Sequence, residues 1–316
     1  MTDSGNLWEL NKSIEVDSSK LQFNIDTFRS IGGFNAKLAS WDPKEYSSRY
    51  YKSLLYEFSK DVDKKIRKSE YFDGDKNLKG RGLNFFLNKI QNRDLGSPTC
   101  IQFIDNHVDI DYILSCDELN FIFPELQKSK VILEIGAGFG RLPHSILENF
   151  DEVEKYYIVD LDWMLELSSK FLKHVLSKED FYKIQFVESS NYKNLLFDAL
   201  NANSHEIDLS INIDSFQEMP TKVALDYLDF IGNNSEKFYS KNAICKYHPS
   251  VVDLQLKDDS QYKSALEMGL CKDSIDIYNS KELKKQQSKY LQQYCPKDFK
   301  LKKDEQCFGQ FLYYQS

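Results

Sequence analysis

Short apolar runs alternate with amphipathic stretches between residues 130 and 250. The segment 131–133 is continuously apolar, as expected for a parallel strand that is buried on both faces. Similar runs follow along the chain, and the stretches between them carry apolar residues at helical spacing. This alternation predicts βαβ units and therefore an α/β fold with a parallel sheet. The predicted strands are 130–135, 155–160, 184–188, 207–213 and 242–247.

The first part of the chain has helical rather than strand-like patterns. One helix is predicted to begin at Asp42, and a second helical pattern ends at the Gly-Ser-Pro sequence of 96–98. We therefore predict an N-terminal helical cap over residues 1–115. The remainder, 116–316, is predicted to be one α/β domain with a polar insertion at about 250–296.

The composition and the absence of targeting patterns indicate which partners and which cellular compartment to expect. With 41 Lys+Arg against 49 Asp+Glu, the formal net charge is −8, and no basic stripe is present to follow a phosphate backbone. Nucleic acid is therefore not an expected partner, whereas a homo-oligomer is compatible with the sequence. The N-terminus resembles no signal peptide and no apolar run approaches membrane-spanning length, which predicts a cytoplasmic protein without membrane insertion. The six cysteines are scattered, so neither a zinc site nor a disulfide scaffold is expected.

The sequence VILEIGAGFG, residues 131–140, predicts a strand, a glycine turn and the start of a helix. Its glycines allow the backbone to approach a ligand closely. The dinucleotide fingerprint places Gly or Ala at the position that Arg141 occupies, which argues against NAD and FAD. A nicotinamide-dependent oxidoreductase is kept as an alternative. Asp160 closes the next apolar run, YYIVD, twenty residues after Gly140.

This spacing resembles motif I and the following acid of class I S-adenosylmethionine-dependent methyltransferases. The resemblance implies a Rossmann-like seven-stranded sheet, mostly parallel, with an antiparallel C-terminal strand. It also implies S-adenosyl-L-methionine as cofactor, with Asp160 accepting hydrogen bonds from the ribose hydroxyls and Glu134 near the amino-acid end. The cofactor-binding residues implied are Glu134, Gly136, Ala137, Gly138, Gly140, Asp160, Leu161, Glu188, Ser189 and Asn212.

The sequence IDLSINIDSFQEMP, residues 207–220, is similar to the segment after the fourth strand in a family of sugar O-methyltransferases. That similarity implies methylation of a hydroxyl group on a small-molecule or glycan acceptor. Two alternatives stay open. One is a methyltransferase of a non-sugar metabolite, and the other is a non-catalytic methyltransferase-like module that binds a partner. No metal site is predicted, because the strand-four position is Asn212 rather than a carboxylate.

Two readings compete for the segment after the fourth predicted strand. Ser215 and Glu218 match a capping box, but Pro220 would then lie inside the first turns of the helix. We therefore expect a loop over 214–219 and a helix that begins near Pro220.

The general base is expected among polar residues at this edge of the sheet. Asp214 and Glu218 follow the fourth predicted strand, and His248 follows the fifth. These three are the catalytic candidates. His144, in the helix after the glycines, is expected to be structural.

Overall fold

The computed structural model describes residues 24–29, 83–98, 100–103, 106–203, 205–247, 266–275, 279–296, 299, 303–307 and 311–315. The helix predicted to begin at Asp42 and the catalytic candidate His248 lie outside these ranges. The chain forms two compact units. We call residues 22–132 and 137–196 the N-terminal unit, and residues 1–21, 133–136 and 197–316 the C-terminal unit.

The N-terminal unit contains two parallel strands with helices between them. Asp160 and Glu188 are opposite each other at the carboxyl ends of β4 and β5. An antiparallel hairpin, β1 with β2, was not predicted from the sequence. The boundary placed at residue 115 lies inside α2. The elements are α1 (Leu83–Leu87), β1 (Cys100–Phe103), β2 (Asn106–Asp109), α2 (Ile110–Leu126), the start of β3 (Val131–Ile135), α3 (Arg141–Leu147), β4 (Lys155–Asp160), α4 (Asp162–Val175), α5 (Lys178–Lys183), β5 (Ile184–Glu188) and the start of α6 (Tyr192–Asn203).

The C-terminal unit continues β3 and adds parallel and antiparallel strands. β6 pairs with β7 in parallel, and β11 and β10 follow in antiparallel orientation. The strand order is β10-β11-β7-β6-β3 in this unit and β3-β4-β5 in the N-terminal unit. The elements are β6 (Leu209–Ile213), α7 (Thr221–Asn234), β7 (Phe238–Ala243), β8 (Lys246–Tyr247), β9 (Ser274–Ile275), α8 (Ser280–Tyr294), β10 (Lys303–Cys307) and β11 (Phe311–Gln315).

The predicted α/β class is confirmed, and the bounds of β4 and β5 agree with the prediction. The fifth predicted strand was wrong: residues 242–247 were expected, whereas β7 is Phe238–Ala243. Ser240 and Lys241 lie in this strand and are buried. Because these residues are polar, the sequence lacks the apolar run that would predict a buried strand there. His248 is therefore five residues beyond β7 rather than directly after it.

Helices α2 and α3 are joined by a buried ion pair. The Arg141 guanidinium donates to both carboxylate oxygens of Glu118, at 2.8 and 3.0 Å, and to Ser115 Oγ at 2.8 Å. Glu118 is fully buried, so its charge requires such a partner. Arg141 therefore has a packing function at the position where a dinucleotide fingerprint has a small residue.

In the part of the chain that the structure describes, no helix is long and apolar enough to cross a membrane.

Candidate active site

The three glycines of the loop after β3 differ in what surrounds them. Gly136 has a φ of 78°, and a side chain there would collide with the side chain of Ser215. A methyl group at Gly140 would lie 2.9 Å from side-chain atoms of Leu172 in α4. Gly136 and Gly140 are therefore required by packing within their own units.

Gly138 instead has almost no neighbour among the described residues. Among the residues that the structure describes, a methyl group there would come within 4 Å of Met164 Cε alone, at 3.9 Å, and the backbone φ of 58° favours glycine. The Gly138 N–H donates to Asp160 Oδ2 at 3.0 Å. The loop thus leaves room for a ligand directly beside the carboxylate that ends β4.

Asp160 is held by the backbone at both oxygens. Leu161 N–H donates to Oδ1 at 2.8 Å, while Gly138 N–H donates to Oδ2. Burial raises the pKa of Asp160 to about 6, and the two backbone N–H groups oppose that shift. A carboxylate in this state gains from further hydrogen-bond donors, such as the hydroxyls of a ribose.

Glu188 and Ser189 lie at the end of the neighbouring strand. Glu188 is exposed and accepts a hydrogen bond from Ser190 Oγ at 2.8 Å. Ser189 begins a 3₁₀ turn, Ser189–Asn191. Because Glu188 is the partner of Asp160 in the β4–β5 register, both carboxylates occupy one edge of the N-terminal unit.

In the C-terminal unit, Glu134 and Asn212 are buried. Asn212 Nδ2 donates to the Ile135 carbonyl at 2.8 Å and to Ser215 Oγ at 2.5 Å. Its Oδ1 accepts from Asn242 Nδ2 at 2.8 Å. Asn212 was predicted to bind the cofactor, and its side chain also joins the ends of β3 and β7 to the loop after β6.

The loop after β6 agrees with the expectation drawn from Pro220. Residues Phe216–Glu218 form a 3₁₀ turn, and α7 begins at Thr221 with Pro220 as its N-cap. The Ser215 side chain makes no capping hydrogen bond; its hydroxyl donates to the Ile135 carbonyl at 3.2 Å. The capping-box reading of this segment is therefore wrong.

Asp214 has an unusual backbone conformation at the end of β6. Its φ is 57°, a region that aspartate tolerates better than most residues, and its N–H donates to the Lys241 carbonyl at 2.8 Å. The turn that follows carries Glu218. Both catalytic candidates that the structure describes thus lie at the carboxyl edge of β6.

Sequence reasoning missed the residues that hold this turn. Asn242 Oδ1 accepts from Phe216 N–H at 3.1 Å. Gln217 accepts from Ala243 N–H through Oε1 at 2.8 Å. Gly269 N–H donates to the Met219 carbonyl at 2.7 Å. The Asn-x-Asp-Ser-x-Gln pattern was the available signal, but its partners lie far away in sequence.

His144 is a core residue, as expected. It is fully buried in α3, and its Nδ1 lies 2.6 Å from the Tyr112 hydroxyl. Burial, with a smaller contribution from the nearby Arg29 charge, lowers the pKa of His144 to about 3. The ring is therefore neutral at physiological pH and packs edge-on against Phe171.

Among the described residues, no group of three or more His, Cys, Asp or Glu side chains is arranged to hold a metal ion.

No protein-family model matches the chain, and no curated protein matches it. Among solved structures, the methyltransferase domain of bacterial CtHen1 is 13% identical with a TM-score of 0.44, over 64% of this chain and 96% of that one. An O-methyltransferase family protein from Burkholderia thailandensis is 11% identical with a TM-score of 0.37, over 65% and 58% of the two chains. The glycopeptide N-methyltransferase MtfA, in complex with S-adenosyl-L-methionine, is 18% identical with a TM-score of 0.33, over 41% and 54%. Likenesses at this level assign neither an activity nor a ligand to this chain.

Proposed function

We propose that this protein is an S-adenosylmethionine-dependent O-methyltransferase that acts on a hydroxyl group of a sugar or glycan. The observation that carries the proposal is the open space at Gly138 beside the Asp160 carboxylate. At Gly138 the backbone can approach a ligand without an intervening side chain. The Asp160 carboxylate beside it can accept hydrogen bonds from the two ribose hydroxyls of a nucleoside.

The order of the strands supports this choice. Counted along the chain from β3, the N-terminal unit has the order 1-2-3, and the C-terminal unit has 1-4-5 followed by an antiparallel pair. The first five strands follow the order of doubly wound nucleotide-binding folds, in which ligands bind at the carboxyl ends of the strands. The antiparallel ending matches the expectation from the methyltransferase resemblance. We infer that the chain carries the seven-stranded methyltransferase sheet together with an N-terminal helical cap.

In the proposal, one group of residues binds the cofactor and a second group lies on the side of the acceptor. In the proposal Gly138, Leu161 and Asp160 hold the ribose, Glu188 and Ser189 border the adenine, and Glu134, Gly136 and Ala137 lie beside the amino-acid end. When bound, S-adenosylmethionine supplies a methyl group activated by a sulfonium. The protein then has to align an acceptor oxygen and remove its proton. Asp214 and Glu218 stand at the strand edge where that acceptor would enter.

Other parts of the proposal concern the setting of the reaction. We propose that the protein acts in the cytoplasm on a small-molecule or glycan acceptor, without a nucleic-acid partner. The net charge of −8 supports the exclusion of nucleic acid.

Calorimetry and methyl transfer test the proposal together. S-adenosylmethionine and S-adenosylhomocysteine should bind, whereas NADH should not; the reverse result would revive the oxidoreductase. Tritiated S-adenosylmethionine should label nucleotide sugars, methyl glycosides or polysaccharide. Labelling of a non-sugar hydroxyl compound such as a catechol, with no sugar labelled, would favour the metabolite alternative. Cofactor binding without any transfer would favour the non-catalytic module.

A further inference from the structure

A short segment from the early part of the chain, residues 24–29, packs against the glycine loop within the N-terminal unit. The loop residue Phe139, which directly follows Gly138, is buried. The Phe28 ring meets the Phe139 ring edge-on, with the two ring centroids 5.6 Å apart. The segment is thus in contact with the loop whose backbone borders the proposed cofactor site.

The Arg29 side chain adds a charged contact to the same ring. Its Cζ atom lies 4.9 Å from the centroid of the Phe139 ring and 5.4 Å from that of the Tyr112 ring. A guanidinium group at such a distance is attracted to the face of an aromatic ring, and more strongly where water is excluded. Arg29 is 1% exposed and Phe139 is 4% exposed. The attraction between them therefore acts away from solvent.

Arg29 is anchored by partners outside the glycine loop. Its Nη2 donates to Asp111 Oδ2 at 2.8 Å, and its Nη1 donates to the carbonyls of Arg93 at 2.7 Å and Leu95 at 3.3 Å. Its backbone N–H donates to the Gly96 carbonyl at 2.9 Å. These hydrogen bonds set the position of the guanidinium group without help from the loop.

Gly96 is required by this packing. Its φ is 92°, and a methyl group there would lie 2.5 Å from Phe28 Cε1 and 2.9 Å from Arg29 Cγ. Ser97 Oγ donates to the Asp26 carbonyl at 2.7 Å. The segment is therefore seated on the turn around Gly96 by close packing and by hydrogen bonds.

Resting on the proposed function, we propose that Arg29 is a positioning residue for cofactor binding and acts through Phe139. The anchored guanidinium group holds the Phe139 ring. The ring in turn holds Gly138 in the left-handed conformation in which its N–H reaches Asp160 Oδ2. Arg29 has no need to touch the cofactor, because it stabilises the shape of the loop before the cofactor arrives. A loop that is already ordered loses less conformational freedom on binding.

The first test needs no cofactor. Hydrogen exchange with mass spectrometry reports how often the peptide that contains residues 137–140 opens, and expressing it relative to the β4 peptide corrects for changes in global stability. Arg29→Met and Phe139→Leu should each exchange at least about tenfold faster in this peptide than wild type. Phe86→Leu is the matched control, because Phe86 is also buried but packs on the ring of Phe123.

The control should leave exchange of the loop peptide within about twofold of wild type. Equal exchange in wild type and Arg29→Met, or the same acceleration in Phe86→Leu, would overturn the proposal.

The second test measures S-adenosylmethionine affinity by calorimetry, at a temperature at which every variant is folded. Arg29→Met and Phe139→Leu should each bind about tenfold more weakly than wild type, and Phe86→Leu should bind within about twofold. The variant with both changes at Arg29 and Phe139 should bind within about twofold of either single variant, because both changes break the same contact. Multiplied losses would mean that the two side chains act separately, and the inference would be wrong.

Fluorination of the Phe139 ring separates charge from packing. Fluorinated phenylalanine analogues withdraw electron density from the ring face while the ring changes little in size. S-adenosylmethionine affinity should fall with each added fluorine when Arg29 is present and should stay constant in Arg29→Met. Affinity that is independent of fluorination in both proteins would refute the role of the charge. Failure of the wild type to bind S-adenosylmethionine would instead contradict the proposed function, and hydrogen exchange would still decide whether Arg29 holds the loop.

Discussion

At the scale of single residues, Asp160 has a carboxyl group that is both fixed by hydrogen bonds and raised in pKa. Its oxygens are held by two backbone N–H groups, while burial raises its pKa to about 6. A ligand that donates hydrogen bonds favours the ionised form. Binding and ionisation of this carboxyl should therefore be linked.

The first prediction follows from that linkage. Asp160→Ala should weaken S-adenosylmethionine binding by about 1 to 3 kcal/mol, because hydrogen bonds to a charged acceptor are lost. Wild-type affinity should be constant above pH 7 and fall as the pH drops through about 6, where the carboxyl takes up a proton. Calorimetry from pH 5 to 8 checks both, and the pH dependence should be absent in the variant. Equal affinities in the two proteins would show that Asp160 is only a strand end.

Gly138 and Gly140 allow a paired experiment on one loop. Gly138→Val should weaken cofactor binding at least about tenfold, because its side chain enters the open space beside Asp160. Gly140→Val should mainly destabilise the fold, because its side chain collides with Leu172. Calorimetry and thermal unfolding of both variants separate the effects. Unchanged affinity in a folded Gly138→Val protein would refute the ligand site.

At the scale of elements, the agreement between sequence and structure depends on whether the buried side chains of each strand are apolar or polar. β4 carries the apolar run YYIV, and both of its bounds agree with the prediction. β7 has the sequence FYSKNA. Its bounds were predicted wrongly because its buried side chains include polar ones, which are typical of loops. Asn242 can be buried there because it bonds to Asn212 on β6. That partner lies 30 residues away in sequence, so no local pattern reveals it.

The Asn212–Asn242 contact should matter for stability. Asn242→Leu would leave Asn212 Oδ1 and Phe216 N–H without their buried partner, at a cost of about 2 to 4 kcal/mol in the free energy of unfolding. Asn233→Leu, on the exposed face of α7, is the control and should change stability by at most about 0.5 kcal/mol. Urea unfolding followed by circular dichroism measures both. Similar small losses would mean that the two strands do not depend on this contact.

At the scale of the whole molecule, His144 makes stability depend on pH. Its folded-state pKa of about 3 lies below the ordinary value of 6.5, so the unfolded chain binds more protons between these values. Stability contributed by neutral His144 is complete above pH 6.5 and is lost as the pH falls towards 3. Asp160 acts in the opposite direction, because its folded-state pKa is raised.

A comparison with His144→Phe isolates the histidine. The difference in unfolding free energy between wild type and His144→Phe should shift against the wild type by about 3 kcal/mol between pH 7 and pH 4. Asp160 and all other groups are common to both proteins and cancel. Denaturant unfolding at the two pH values gives the difference. A difference that does not change with pH would mean that His144 gains a proton in the folded state as easily as in the unfolded one.

Main-chain hydrogen bonds flank the turn that carries Glu218 and the neighbouring strand β8. The hydrogen bonds of Gly269 with Met219 and of Lys246 with Asp273 join main-chain atoms. Such bonds persist when the side chains at these positions change. Side chains of this turn could therefore be exchanged by point mutation while its backbone keeps its shape.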